Sequence, residues 1–105
     1  MKKIQEKVDA INTHFREIEG SVPEMELIVR KTLKIGEELG EFNEAVLSEM
    51  GLQRQEKLDS YKREDLEKEL ADIVISALTL ARYLNIELEP WLLKRLDEVE
   101  RRIAV

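Results

Sequence analysis

The apolar residues recur at helical spacings, and the breaks between them fall at Gly, Pro and Asn. Met1, Ile4, Val8, Ile11, Phe15 and Ile18 follow one another at alternating steps of three and four, the narrow seam of a coiled-coil-like helix. Gly20 ends that helix. Ser21-Val22-Pro23-Glu24 reads as a helix start, with an early Pro and a Glu three residues after Ser. It predicts a second helix from about Glu24 to Met50, stopped by Gly51. Leu52 to Arg63 is polar and weakly periodic, which predicts a loop with room for a short turn. A third helix is expected from about Glu64 to Leu84, ended by Asn85, and Pro90 is expected to begin a fourth that reaches about Ile103. No stretch alternates with period two and nothing repeats. The expected fold class is all-α: one domain over residues 1–105, a four-helix bundle completed by oligomerisation.

Helical wheels refine this. On the second helix Glu38 lies inside the apolar arc made by Leu27, Ile28, Ile35, Phe42, Ala45 and Val46, and Glu41 lies on its border. A carboxylate in a buried stripe is costly unless something pairs with it. On the third helix Leu70, Ala71, Ile73, Val74, Ile75, Ala77, Leu78, Leu80 and Ala81 surround almost the whole wheel, so burial nearly all round is expected. Glu69, Asp72, Ser76, Thr79 and Tyr83 nevertheless fall within about 80° of one another as one polar stripe. Four helices from so short a chain are too few to enclose that helix, which predicts a second subunit over part of it.

Composition narrows the function classes. The chain has 105 residues, 43% of them apolar, enough for one core and against intrinsic disorder. With 23 acidic against 17 basic residues the net charge is -6, which argues against a general nucleic-acid binder. There is no cysteine, so disulfide scaffolds and thiolate metal sites are excluded. The opening MKKIQEKVD lacks the apolar stretch of a leader. Leu70 to Leu84 contains Asp72 and Arg82 and falls short of the ~20 residues that span a bilayer. The expectation is a cytoplasmic protein without a membrane partner.

Glu38 and Glu41 stand three residues apart, as do Glu69 and Asp72. That spacing puts each pair on one helix face. Two such pairs on facing helices would gather four carboxylates, which repel and pay desolvation unless a cation joins them. Mg²⁺ and Mn²⁺ favour oxygen ligands. The sole histidine, His14, lies outside both motifs, unlike the Glu-x-x-His pairs of di-iron bundles. Among so many acidic residues some pairs at this spacing arise by chance, and Glu24, Glu26, Glu44 and Glu49 read as solvated faces.

Glu37-Glu38-Leu39-Gly40-Glu41, followed by Glu69-Leu70-Ala71-Asp72, resembles the E-E-x-x-E … E-x-x-D signature of the MazG-like all-α NTP pyrophosphatases. The surrounding KIGEELGEFNEA and EKELADIVISAL look like that family's two core helices, and the resemblance runs from roughly Glu24 to Arg102. It implies Mg²⁺-dependent hydrolysis of a nucleoside triphosphate between the α and β phosphates, to a monophosphate and pyrophosphate, as part of nucleotide house-cleaning. It implies Glu38, Glu41, Glu69 and Asp72 as metal ligands, and Glu37 beside them as a base or an orienting group for the attacking water. A bound ion withdraws phosphate charge and lowers the pKa of its water, so Glu37 and Glu38 stand as catalytic candidates.

Phosphates also need cations. Lys31 and Lys34 precede Glu38 by two turns and one. Lys94, Arg95, Arg101 and Arg102 lie on the last helix, where the family places a phosphate-binding lysine, although Asp97-Glu98-Val99 stands where it often has an asparagine. Lys34, Ser76, Lys94 and Arg95 are the substrate-binding candidates. Phe42 reads as core, His14 as surface, and Trp91 as an anchor for the last helix. The expected partners are a nucleoside triphosphate and further copies of the chain, as a homodimer or homotetramer. Two alternatives stand beside this reading. One is a phosphoribosyl-ATP pyrophosphatase, against which Ile75-Ser76 replaces the Tyr-His pair usual there. The other is a non-catalytic helical oligomerisation module, against which the intact carboxylates argue.

Overall fold

The computed structural model describes residues 1–104. Five helices follow in order: α1 (Lys2–Ile18), α2 (Glu24–Glu49), α3 (Gln55–Ser60), α4 (Arg63–Tyr83) and α5 (Leu88–Ile103), with no strand among the described residues. The four expected helices form within a few residues of their expected limits. The fifth, α3, lies inside the polar segment read as a loop. It is six residues long, too short for periodicity to reveal.

The helix ends differ in detail from expectation. Pro23, not Ser21, is the N-cap of α2, and no side chain caps that end. Pro90 is the third residue of α5 rather than its first. Any of the first four N–H groups of a helix lacks an intrahelical acceptor, so proline costs no hydrogen bond there. Gly51 takes φ 73° after α2, the left-handed conformation glycine adopts most cheaply. The Leu52 N–H then reaches back 2.8 Å to the Leu47 carbonyl. At the start of α4 the Asp65 carboxylate accepts the Lys62 backbone N–H at 2.9 Å, half of a capping box.

The central packing is α2 against α4. They run antiparallel: Arg63 Nη1 meets Glu49 Oε1 at 2.8 Å at one end, and Lys31 Nζ lies 5.3 Å from the Tyr83 ring centroid at the other. α1 crosses the C-terminal end of α4. Its Asp9 pairs with Arg82 at 2.8 Å, and Glu19, just beyond its end, accepts the Tyr83 hydroxyl at 2.9 Å. Leu27, Ala45, Leu78, Ala81, Tyr83 and Val8 form the small buried core. α3 and α5 make no comparable contact with the other helices.

Two helices bury a different set of residues from the one their apolar pattern predicts. In α1 the buried residues are Val8 and Asn12, whereas Ile4, Ile11, Phe15 and Ile18 of the seam are exposed. Asn12 is enclosed with both amide atoms unpartnered. In α4 the polar stripe faces inward: Tyr83 is fully buried and Glu69, Ser76 and Thr79 are half-buried, while Leu70 and Val74 are exposed. The chain by itself therefore does not bury α4 nearly all round. Trp91 is 55% exposed, with Lys94 Nζ 4.9 Å from its ring centroid, and anchors nothing. The radius of gyration is 17.1 Å, against about 13 Å for a compact chain of this length. No described helix is long and apolar enough to cross a membrane.

Candidate functional site

The antiparallel pairing of α2 and α4 sets the site. It places the middle of α2, where Glu38 and Glu41 share a face, opposite the second turn of α4, where Glu69 points inward. One carboxylate oxygen from each of Glu38, Glu41 and Glu69 lies within 4.8 Å of the others. Glu38 is 6% exposed. Its Oε1 accepts Lys34 Nζ at 2.9 Å, whereas its Oε2 is buried with no partner. Glu69 Oε2 is likewise buried and unpartnered. Glu41 is exposed at the rim.

The electrostatics follow from this crowding. Burial pushes the Glu69 carboxyl above the usual carboxylate range, and the charges of Glu41, Asp72 and Glu38 push it further in the same direction. The Glu38 hydrogen bond and charge hold the Lys34 ammonium above its ordinary value. Lys34 thus stands where a cation is wanted. It satisfies one oxygen of Glu38 and leaves the other three-carboxylate demand unmet.

The donors suit a hard divalent ion, being all carboxylate oxygens with two of them orphaned. Two oxygens on one Mg²⁺ stand at most about 4.2 Å apart, twice the metal–oxygen bond. At most one pair of the three can sit opposite each other and the rest would be adjacent, about 3.0 Å apart, so the carboxylates would have to draw together on binding. Asp72 lies outside the three-residue cluster and is exposed, close enough for its charge to act on Glu69. Glu37 is exposed and 3.8 Å from Lys34 Nζ.

Beside the carboxylates opens a cleft of about 330 Å³ lined by Phe15, Arg30, Lys31, Lys34, Ile75, Ser76 and Thr79. Three helices build it. α2 contributes three cations on one side, α4 two hydroxyls and Ile75, and α1 the Phe15 ring, over which Lys31 Nζ sits at 5.2 Å. Of the expected substrate contacts, Lys34 and Ser76 line this cleft. Lys94 and Arg95 do not: Lys94 lies over Trp91, and Arg95 pairs with Glu98 on its own helix. Phe15 and Arg30 were missed in the sequence, and Thr79 was seen only as part of the polar stripe, because the packing of α1 and α2 against α4 is what brings them together.

On the opposite side of the carboxylates a second, shallower hollow is lined by Glu41, Glu44, Lys57, Ser60, Tyr61, Asp65 and Glu69, among others. Glu44 and Glu49, read as solvated, both have partners from the segment around α3: Lys57 at 3.5 Å from Glu44, and Tyr61 and Arg63 on Glu49. Comparison of the chain with protein-family models, with curated proteins and with solved structures finds no match in any of the three.

Proposed function

We propose that the chain is a Mg²⁺-dependent nucleoside triphosphate pyrophosphohydrolase that cleaves between the α and β phosphates. The observation that carries this reading is the nearly buried Glu38, with one oxygen orphaned, inside a three-carboxylate cluster that Lys34 joins to a cation-lined cleft. Buried carboxylate oxygens without partners, as on Glu38 and Glu69, are expensive, and the cluster makes chemical sense as a cation holder. Glu38, Glu41 and Glu69 would hold Mg²⁺, with Asp72 at its edge. Bound there, the ion would offset phosphate charge and acidify a water.

The protein's own groups divide the remaining work. Arg30, Lys31 and Lys34 present positive charge to phosphate oxygens, and Ser76 and Thr79 offer hydroxyls. Phe15 and Ile75 give an apolar surface against which a nucleoside rests. Lys34 is paired to Glu38 in the free protein. Substrate phosphate and metal together would compete for both partners of that pair, so it would open as the complex forms. Glu37, exposed and one residue from Glu38, is free to orient or deprotonate the attacking water. The working unit in this reading is a homodimer or homotetramer.

The test is a panel of canonical and modified nucleoside triphosphates with Mg²⁺, with Mn²⁺ and with chelator, the products separated by chromatography. The expected products are a monophosphate and pyrophosphate, formed only with metal. Diphosphate plus orthophosphate, or turnover undiminished by chelator, would overturn the proposal.

A further inference from the structure

α5 carries no buried residue, and it packs extensively on no other helix. Leu92, Leu96, Val99 and Ile103 are all exposed and form one stripe at steps of four, three and four. In heptad terms they occupy alternating d and a positions. Leu88, Arg95 and Arg102 then occupy g, and Leu93 and Glu100 occupy e. In a parallel pair of helices each g residue faces the e residue five positions on in its partner. Leu88 would meet Leu93 of the second copy, and Arg95 would meet its Glu100. In an antiparallel pair the g edges face each other, and Arg95 and Arg102 of both copies would repel.

The amount of exposed surface agrees. The chain exposes 8119 Å², about 2,000 Å² more than a compact monomer of its mass. Obligate homodimers bury roughly 1,000–2,500 Å² per chain.

We propose that α5 is a dimerisation arm that pairs in parallel, about a two-fold axis, with α5 of a second copy of this chain. This rests on the homo-oligomer of the reading above and not on its chemistry. The two are separated by measuring association and hydrolysis on the same samples.

Sedimentation of the full-length chain at micromolar concentration is expected to show a dimer. Leu96→Asp is expected to weaken association at least ~100-fold while the helical circular-dichroism signal persists, because α5 touches no core. Arg95→Glu and Glu100→Arg are each expected to weaken it about tenfold, since two attractive contacts become repulsive, and the double variant is expected to restore it. The chain has no cysteine, so Leu96→Cys is a clean probe. In a parallel pair every core position faces its own copy, whereas an antiparallel pair allows this only at its two-fold axis, so Leu96→Cys and Ile103→Cys are each expected to oxidise to a disulfide-linked dimer and Asp97→Cys is not. A monomer at 100 μM, indifference to Leu96→Asp, a double variant no better than the singles, or a missing self-crosslink at residue 96 or at residue 103 would each overturn the proposal.

Discussion

Glu69→Gln is expected to stabilise the metal-free protein and to abolish its response to Mg²⁺. Its carboxylate lies within 4.8 Å of those of Glu38 and Glu41. One like-charge contact at that separation costs between about 1 kcal/mol in water and about 3.5 kcal/mol at an effective dielectric of 20. Glu41 at the rim is solvent-screened, and the Glu38 charge is partly offset by Lys34, so the low end applies. Glutamine keeps the size of the side chain, removes the charge and offers an N–H to Glu41. The net gain is therefore expected at about 1–2 kcal/mol, or about 4 °C or more in Tm for a chain of this length. In the wild type, Mg²⁺ at a hundred times its Kd adds about 2.7 kcal/mol by linkage. The assay is a thermal melt of both proteins at one fixed protein concentration, each in chelator and in excess Mg²⁺. If Glu69→Gln melts below wild type in chelator and gains as much from Mg²⁺, the carboxylates are not a strained cation site and the reasoning fails.

Glu38→Gln is expected to lower pyrophosphate release more than a hundredfold with the melt preserved, while Glu64→Gln, on an exposed turn, leaves the rate unchanged; equal rates in both would place the chemistry elsewhere. Lys34→Ala is expected to raise the Mg²⁺ affinity of the nucleotide-free protein, measured calorimetrically, because the ammonium occupies one oxygen of Glu38; weaker binding would show that the lysine does not compete. Asn12→Leu is expected to raise Tm by the several degrees that ~1–3 kcal/mol represents, since both amide atoms are enclosed without partners; a lower Tm would reveal a partner for that amide. The metal-free protein is also expected to lose stability as pH rises from the ordinary glutamate range through the raised pKa of Glu69, because there the folded chain binds more protons than the unfolded one. A chelator-treated melt that stays flat or climbs over that interval would contradict the shift.

The four long helices and the facing carboxylates were legible in the sequence because both depend on spacing along one helix. Glu38 inside an apolar arc foretold its burial, and the twin three-residue spacings foretold the approach of Glu41 and Glu69. Spacing does not say which neighbour a face will meet. The seam of α1 identified an apolar stripe, yet only Val8 of that stripe is buried, joined by Asn12, because α1 meets α4 at its C-terminal end, at Arg82 and Tyr83. The polar stripe of α4 was visible, and the paired spacings already turned Glu69 toward α2, but not that Ser76 and Thr79 would line a cleft. Lys94 and Arg95 were expected as phosphate ligands because the resembled family has a phosphate-binding lysine on its last helix; within the single chain the path after α4 leaves them outside the cleft.

That path is set at Asn85. It takes φ 58°, and the Ile86 N–H reaches back 2.8 Å to the Ala81 carbonyl, so α4 closes with a left-handed turn of the kind Asn tolerates well. Arg82 braces the joint, joining Asp9 of α1 at 2.8 Å to Glu87 at 3.2 Å. The direction in which α5 departs is thus written into a few adjacent residues before α5 has anything to lean on. In the proposed dimer such a joint acts as a preset bracket: little orientational entropy would remain to be surrendered on pairing, which would favour association without any added contact. Its geometry also makes residue 85 a lever that lines no part of the cation-rich cleft. A β-branched residue there would resist the left-handed turn and re-aim sixteen residues at once, whereas glycine would leave the aim unchanged and loosen only the grip.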